Sequence, residues 1–224
     1  MPQMGSVGLL YVGAVLFING LMLLGRVEPR AAALLNLFVG VLQMITPTVI
    51  IVSNPGNTAQ ILGASGLYLF AFTYLYVGIN LLTGIDSTGV GYFSLFVSIM
   101  AIGYSYANFR ILRDPGLGVI WLYWSFLWFL FFVLLGLKQA WITHYTGWVT
   151  AIEGWVTGAI PAFMMLTGTW VRTGVIATFL GIFGLVAFVA LWQLTQAPIP
   201  VAREPEPATG DATGDARREQ RHWT

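Results

Sequence analysis

The chain has 224 residues, 57% hydrophobic and only 8% charged, with a net charge of +1 and a mean hydropathy of +0.78. Soluble domains carry about 25% charged residues, so a soluble globular domain is excluded, and +1 leaves no basic face for nucleic acid. The absence of cysteine removes disulfides, iron–sulfur centres and thiolate chemistry, and two histidines, His144 in a predicted loop and His222 in the tail, cannot build a buried metal site.

Seven apolar runs each approach the ~20 residues that cross a bilayer as helix, which predicts an all-α integral membrane bundle. The spans fall at about 6–24, 31–53, 60–82, 91–108, 117–137, 147–170 and 174–194. The first has no charged segment ahead of it, so it reads as a retained helix rather than a cleaved signal peptide, and it carries Asn19. Arg26, Glu28 and Arg30 mark the first break. Pro47 interrupts the second span and removes one backbone hydrogen bond. The next breaks carry turn chemistry in Asn54-Pro-Gly-Asn57, Thr83-Gly-Ile-Asp-Ser-Thr-Gly89 and Arg113-Asp-Pro-Gly116. The sixth span holds Pro161, with Gly154 and Gly158 as a small-xxx-small step beside Glu153. From Ala197 the composition turns to Pro, Ala, Gly, Glu, Asp and Arg, so residues 1–196 form the membrane domain and 197–224 a disordered tail.

Two echoes fit a repeated two-helix hairpin. Leu10-Tyr-Val-Gly13 recurs as Leu75-Tyr-Val-Gly78, each followed by an intramembrane Asn (Asn19, Asn80), and Leu37-Phe-Val39 recurs as Leu95-Phe-Val97. Arg26, Arg30, Lys138 and Arg203 share one side, against Arg110, Arg113 and Arg172. The positive-inside count therefore places the N-terminus outside and the C-terminus in the cytoplasm.

Glu153 is the one ionisable side chain inside an apolar run; the other nine charged residues of the first 196 sit at the breaks. A carboxyl at that depth costs a few kcal/mol, so it faces a bundle interior or a wet cavity. It either pins two helices by a hydrogen bond or lines a path. In the fifth span Trp121, Trp124 and Trp128 are spaced i, i+3, i+7, which puts three indoles on one helix face over ~10 Å. In the third, Phe72 and Tyr76 form an i, i+4 pair above Asn80. Such stripes serve either as packing or as the walls of a narrow slot. A slot of this kind suits flat neutral amides, which slide over π-faces and exchange hydrogen bonds with indole N–H and phenol O–H groups, while ions are repelled by desolvation cost.

These residues together resemble the AmiS/UreI family of urea and short-chain amide channels. The likeness runs through Leu9-Leu-Tyr-Val-Gly13 with Asn19-Gly20, Val27-Glu-Pro-Arg30, Asn36-Leu-Phe-Val-Gly40, Phe72-Thr-Tyr-Leu-Tyr76 with Ile79-Asn80, and Tyr92-Phe-Ser-Leu-Phe-Val97. It continues in Ile120-Trp-Leu-Tyr-Trp-Ser-Phe-Leu-Trp128 and Ala151-Ile-Glu-Gly154 with Ile160-Pro-Ala162, spanning about residues 6 to 170. The resemblance implies a six-helix pore of repeated hairpins, assembled in hexameric rings in the bacterial cytoplasmic membrane. It implies a constriction at Phe72, Tyr76, Trp121, Trp124 and Trp128, with Leu16, Asn19 and Glu153 at further pore-facing positions. No cofactor is implied. Two departures stand out. The proton-gated channels of gastric bacteria have a long histidine-bearing loop after the second helix, whereas the connection here is only Ser53 to Gln60, so acid gating is not expected. The chain also adds a seventh span. The short loops look more like the amide-operon branch, whose partner activity is an amidase, than the urease-linked branch. The resemblance implies a functional link to a cytoplasmic amidase or urease.

A proton- or ion-coupled secondary transporter is the alternative, because hairpin repeats also suit small carrier folds. A retinal receptor would need a lysine within the last span, but Lys138 ends the fifth. Without a nucleophile–base or metal set, an enzyme is not expected.

Overall fold

The computed structural model describes residues 3–196. The predicted tail, 197–224, lies outside the described residues. Among the described residues, seven helical passages are long and apolar enough to cross a membrane. The first is α1 (Gln3–Leu23). Glu28 then starts α2 (Pro29–Ser53): its carboxylate accepts from the Ala31 N–H at 3.0 Å, and Pro29 occupies the first turn, where a missing N–H costs nothing. Asn57 caps α3 (Thr58–Ser65) in the same way, through the Gln60 N–H. After a break at Gly66 the third passage continues as α4 (Leu67–Thr83), which Gly84 ends at φ 72°.

The fourth passage is α5 (Thr88–Arg110). Asp114 caps α6 (Pro115–Phe131), which runs on through a π turn, Phe132–Gly136. A 3₁₀ turn, Ala140–Ile142, leads straight into α7 (Thr143–Glu153), so the sixth passage starts earlier than expected and His144 lies in a helix, not a loop. A π turn, Gly154–Ala159, then joins α7 to α8 (Ile160–Leu166). Pro161 accounts for this turn. It has no N–H for the Thr157 carbonyl, and the wider register lets the Ile160 N–H reach Trp155 O instead. The seventh passage is α9 (Gly174–Gln196).

The first six passages close a ring in chain order, with the seventh outside it against α6 and α7. The hairpins expected from the echoes are present, yet the tightest seams lie between hairpins: α2 on α4, α5 on α6, and α1 on α7 and α8. Glycine explains the last seam. A Cβ on Gly13 would lie 2.5 Å from the Gly154 carbonyl oxygen, and one on Gly20 would lie 2.5 Å from the Ala151 nitrogen. Backbone rests on backbone there, as small residues allow in membrane helices. The seventh helix is held by specific bonds: Tyr123 OH donates to Leu180 O at 2.6 Å, Tyr145 OH donates to Phe188 O at 3.3 Å, and the Phe126 and Phe188 rings stack. Its other faces, with Phe179, Ile182, Leu185 and Val186, are apolar and exposed, the pattern of a lipid-facing helix.

Candidate functional site

Inside the ring lies a cavity of about 350 Å³. Leu16, Asn19 and Leu23 of α1 line it with Tyr74, Val77 and Asn80 of α4; Val90 and Ser94 of α5 and Trp128 of α6 complete the wall. Leu23, Pro29, Ser87 and Thr143 place its mouth at the end carrying the loops after α1, α4 and α6.

Aromatic rings close the far end. Phe70 sits edge-on to Trp124 at 4.8 Å and to Trp128 at 5.0 Å, and lies 5.7 Å from Trp121. Trp121 in turn packs on Trp124 at 4.9 Å and stacks on Tyr104 at 4.6 Å. The i, i+3, i+7 spacing does bring the three indoles to one buried face. Two of their N–H groups are positioned by threonines. Trp124 Nε1 donates to Thr157 Oγ1 at 3.0 Å and Trp128 Nε1 to Thr73 Oγ1 at 3.2 Å, while those hydroxyls donate to Glu153 O and Leu69 O. Each ring is thereby fixed at its polar edge.

The other aromatic pair requires correction. Phe72 is 48% and Tyr76 37% exposed, on the outer side of α4. Phe72 stacks on Tyr68, and the Tyr76 hydroxyl lies over Gly89 of α5. The inward i, i+4 pair is Phe70 and Tyr74. Aromatics alternate from Tyr68 to Tyr76, so three such pairs exist and one apolar helix cannot say which faces inward. The partner decides: Phe70 meets the indoles of α6.

Asn19 and Asn36 form a reciprocal amide pair, Nδ2 to Oδ1 at 3.0 and 2.7 Å, which bridges α1 and α2. Glu153 is 0% exposed, and neither carboxyl oxygen has a hydrogen-bond partner in the protein. It lies beside the α1–α7 crossing, where Gly154 meets Gly13 and Phe17. The Tyr74 hydroxyl, Asn80 Oδ1 and the Gln43 amide are likewise buried without protein partners. An unpaired buried polar group costs about 1–3 kcal/mol, so this set is disposed to bond whatever polar solute or water enters. Of the residues singled out in the sequence, Leu16, Asn19 and Trp128 line the cavity and Trp121 and Trp124 join its aromatic end. Phe70, Thr73, Tyr74 and Thr157 were missed. Only Thr157, one helical turn after Glu153, carried a visible signal.

At the mouth, Lys138 Nζ donates to Asp86 Oδ2 at 2.8 Å and ties the loop after α4 to the loop after α6. This bond, assisted by Thr88, holds the Asp86 carboxyl well below the usual carboxylate range. At the opposite end Asp114 accepts from the Leu117 N–H and the Trp170 indole and pairs with Arg172 at 3.3 Å.

Residues 4–169 match the model of the AmiS/UreI family of transporters. The chain is 49% identical over 205 residues to a protein named as transporter AmiS2 of Rhodococcus erythropolis, covering 91% of this chain and 98% of that one. It is also 49% identical over 211 residues to a protein named for the transport of amidate substrates in Mycolicibacterium smegmatis, covering 94% and 99%. The Helicobacter pylori urea channel in its closed state superposes with a TM-score of 0.67 at 33% identity, covering 74% of this chain and 99% of that one.

Proposed function

The chain belongs to the AmiS/UreI transporter family, and from that membership we propose that it is a passive channel for urea and small aliphatic amides across the bacterial cytoplasmic membrane. The carrying observation is the cavity stopped by Phe70 and three indoles, two of them anchored by threonines. A flat amide can pass between such faces while trading hydrogen bonds with Tyr74, Asn80 and Glu153, and an ion stripped of water there would pay heavily. The relatives named for amidate transport and for urea conduction support this solute class.

With the N-terminus outside, the cavity mouth is a cytoplasmic vestibule and the aromatic plug lies toward the outer half. Assembly as a homohexamer and service to a cytoplasmic amidase belong to the same reading. Stopped-flow uptake in proteoliposomes tests it: urea and acetamide equilibrate rapidly, Na⁺, K⁺ and sugars are excluded, and ionophores change nothing. Accumulation above equilibrium that collapses with an ionophore would instead establish a coupled transporter, with Glu153 as the obvious proton site.

A further inference from the structure

Gln43 is a buried amide that the path described so far does not use. It is 0% exposed on the face of α2 that meets α1, and neither its Nε2 nor its Oε1 has a partner in the protein. Its depth follows from the antiparallel α2–α4 seam. Leu37 meets Gly78, Gly40 meets Leu75, and the Thr48 and Tyr68 hydroxyls bond at 2.7 Å. Gln43 therefore stands level with Phe72 and Thr73, within a turn of Phe70 and beside the threonine that anchors Trp128, away from the vestibule mouth.

The same α1–α2 seam shows what such an amide bonds to. Two helical turns earlier on α2, Asn36 takes a carboxamide partner from α1, Asn19, through two reciprocal bonds. Opposite Gln43, α1 supplies Gly8. A Cβ there would overlap Gln43 Oε1, lie 3.3 Å from its Cδ and approach Thr46 Cγ2 at 3.6 Å. Glycine thus gives the amide its place without offering it a bond. A carboxamide has one N–H syn to its carbonyl and can close a two-bond ring with another carboxamide.

We propose that Gln43 is a specificity-determining station at the constriction that pairs reciprocally with the carboxamide of a permeating primary amide or urea. The inference rests on the channel reading above. It predicts preference for solutes with an N–H syn to the carbonyl: acetamide forms the ring, whereas its isomer N-methylformamide, with its N–H anti to the carbonyl in the trans amide, does not.

Proteoliposome influx of both isomers, in wild type and in Gln43→Met, tests this. Methionine keeps the length and removes both hydrogen-bonding ends. The wild type passes acetamide faster than N-methylformamide. Loss of one net hydrogen bond lowers acetamide influx about fivefold in Gln43→Met, and the isomer preference disappears. Gly8→Ala, which displaces the amide, moves rates the same way. Wild-type rates and preference in a folded, correctly assembled Gln43→Met overturn the station and make Gln43 a purely structural side chain. Equal slowing of both isomers also overturns it, since that is a packing effect. If the wild type passes neither solute nor urea, the channel reading itself fails, a result distinct from both.

Discussion

Phe70 and Glu153 test the site side chain by side chain. Phe70 touches all three indoles, so Phe70→Ala removes the plug and leaves a cavity, costing about 3–5 kcal/mol of stability. Phe70→Leu is the gentler variant. In either, larger amides such as butyramide are expected to enter at rates approaching acetamide, read by stopped-flow light scattering. Phe72→Ala and Tyr76→Ala, at the outer face, are expected to leave size discrimination unchanged; relaxed selectivity in those two alone would restore the pair that the sequence singled out. For Glu153, a Gln variant retains a hydrogen-bonding end of the same size. We expect it to fold and to conduct at a reduced but measurable rate, because a carboxylate or carboxyl orders passing N–H groups better than a fixed amide. Glu153→Leu is expected to abolish most flux, and wild-type transport in that variant removes Glu153 from the path. The sequence made Glu153 legible through its isolation in an apolar run. It left the aromatic pair ambiguous because the choice is made by a partner helix about fifty residues away.

At the scale of elements, hydropathy located all seven passages, since length and apolarity alone decide what crosses a bilayer. What it could not show was seam strength. The echoes pointed to hairpins, whereas the closest contacts join neighbouring hairpins, because the glycines that permit backbone approach meet across chain-distant surfaces. The start of α7 was also misplaced: Thr143, His144 and Thr146 depress hydropathy although the backbone is already helical. Gly13→Ala is the sharp test of the α1–α7 seam. Its methyl would press on main-chain atoms that cannot rotate away, so a loss of about 1–3 kcal/mol is expected, measured as a lower thermal midpoint in detergent. Gly103, whose added Cβ would meet nothing within 4 Å, is the matched control. The seventh helix lies beyond the stretch that matches the family model, yet Gly184 leaves room for the Tyr123 hydroxyl to reach Leu180 O. Tyr123→Phe is expected to loosen α9 by about 0.5–1.5 kcal/mol without changing solute preference.

For the whole molecule the remaining question is whether protons control the path. The α2–α3 connection spans only Asn54 to Asn57 and carries no histidine. The one described histidine, His144, lies at the end of the ring that bears the cavity mouth, which an outside N-terminus places in the cytoplasm. The ion pair at that mouth does not respond either. Because the Asp86 carboxyl is held below its ordinary value, the pair's contribution is fully present above about pH 3.9, the unfolded carboxylate value. It fades only as pH falls through the still lower folded value. Nothing in that bond changes between pH 5 and 7.5, the window in which ordinary histidines titrate. Flux is therefore expected to vary less than about twofold across this window, with acid applied to either face of sealed proteoliposomes. Strong activation by acidifying the outer face alone would refute this. The place to look would then be Asp114, whose bonds to Trp170 and Arg172 fasten the end of the sixth passage to the start of α6. Asp114→Asn keeps the shape and removes the charge, so loss of the acid response in that variant would locate the gate, while a persistent response would move it to another group.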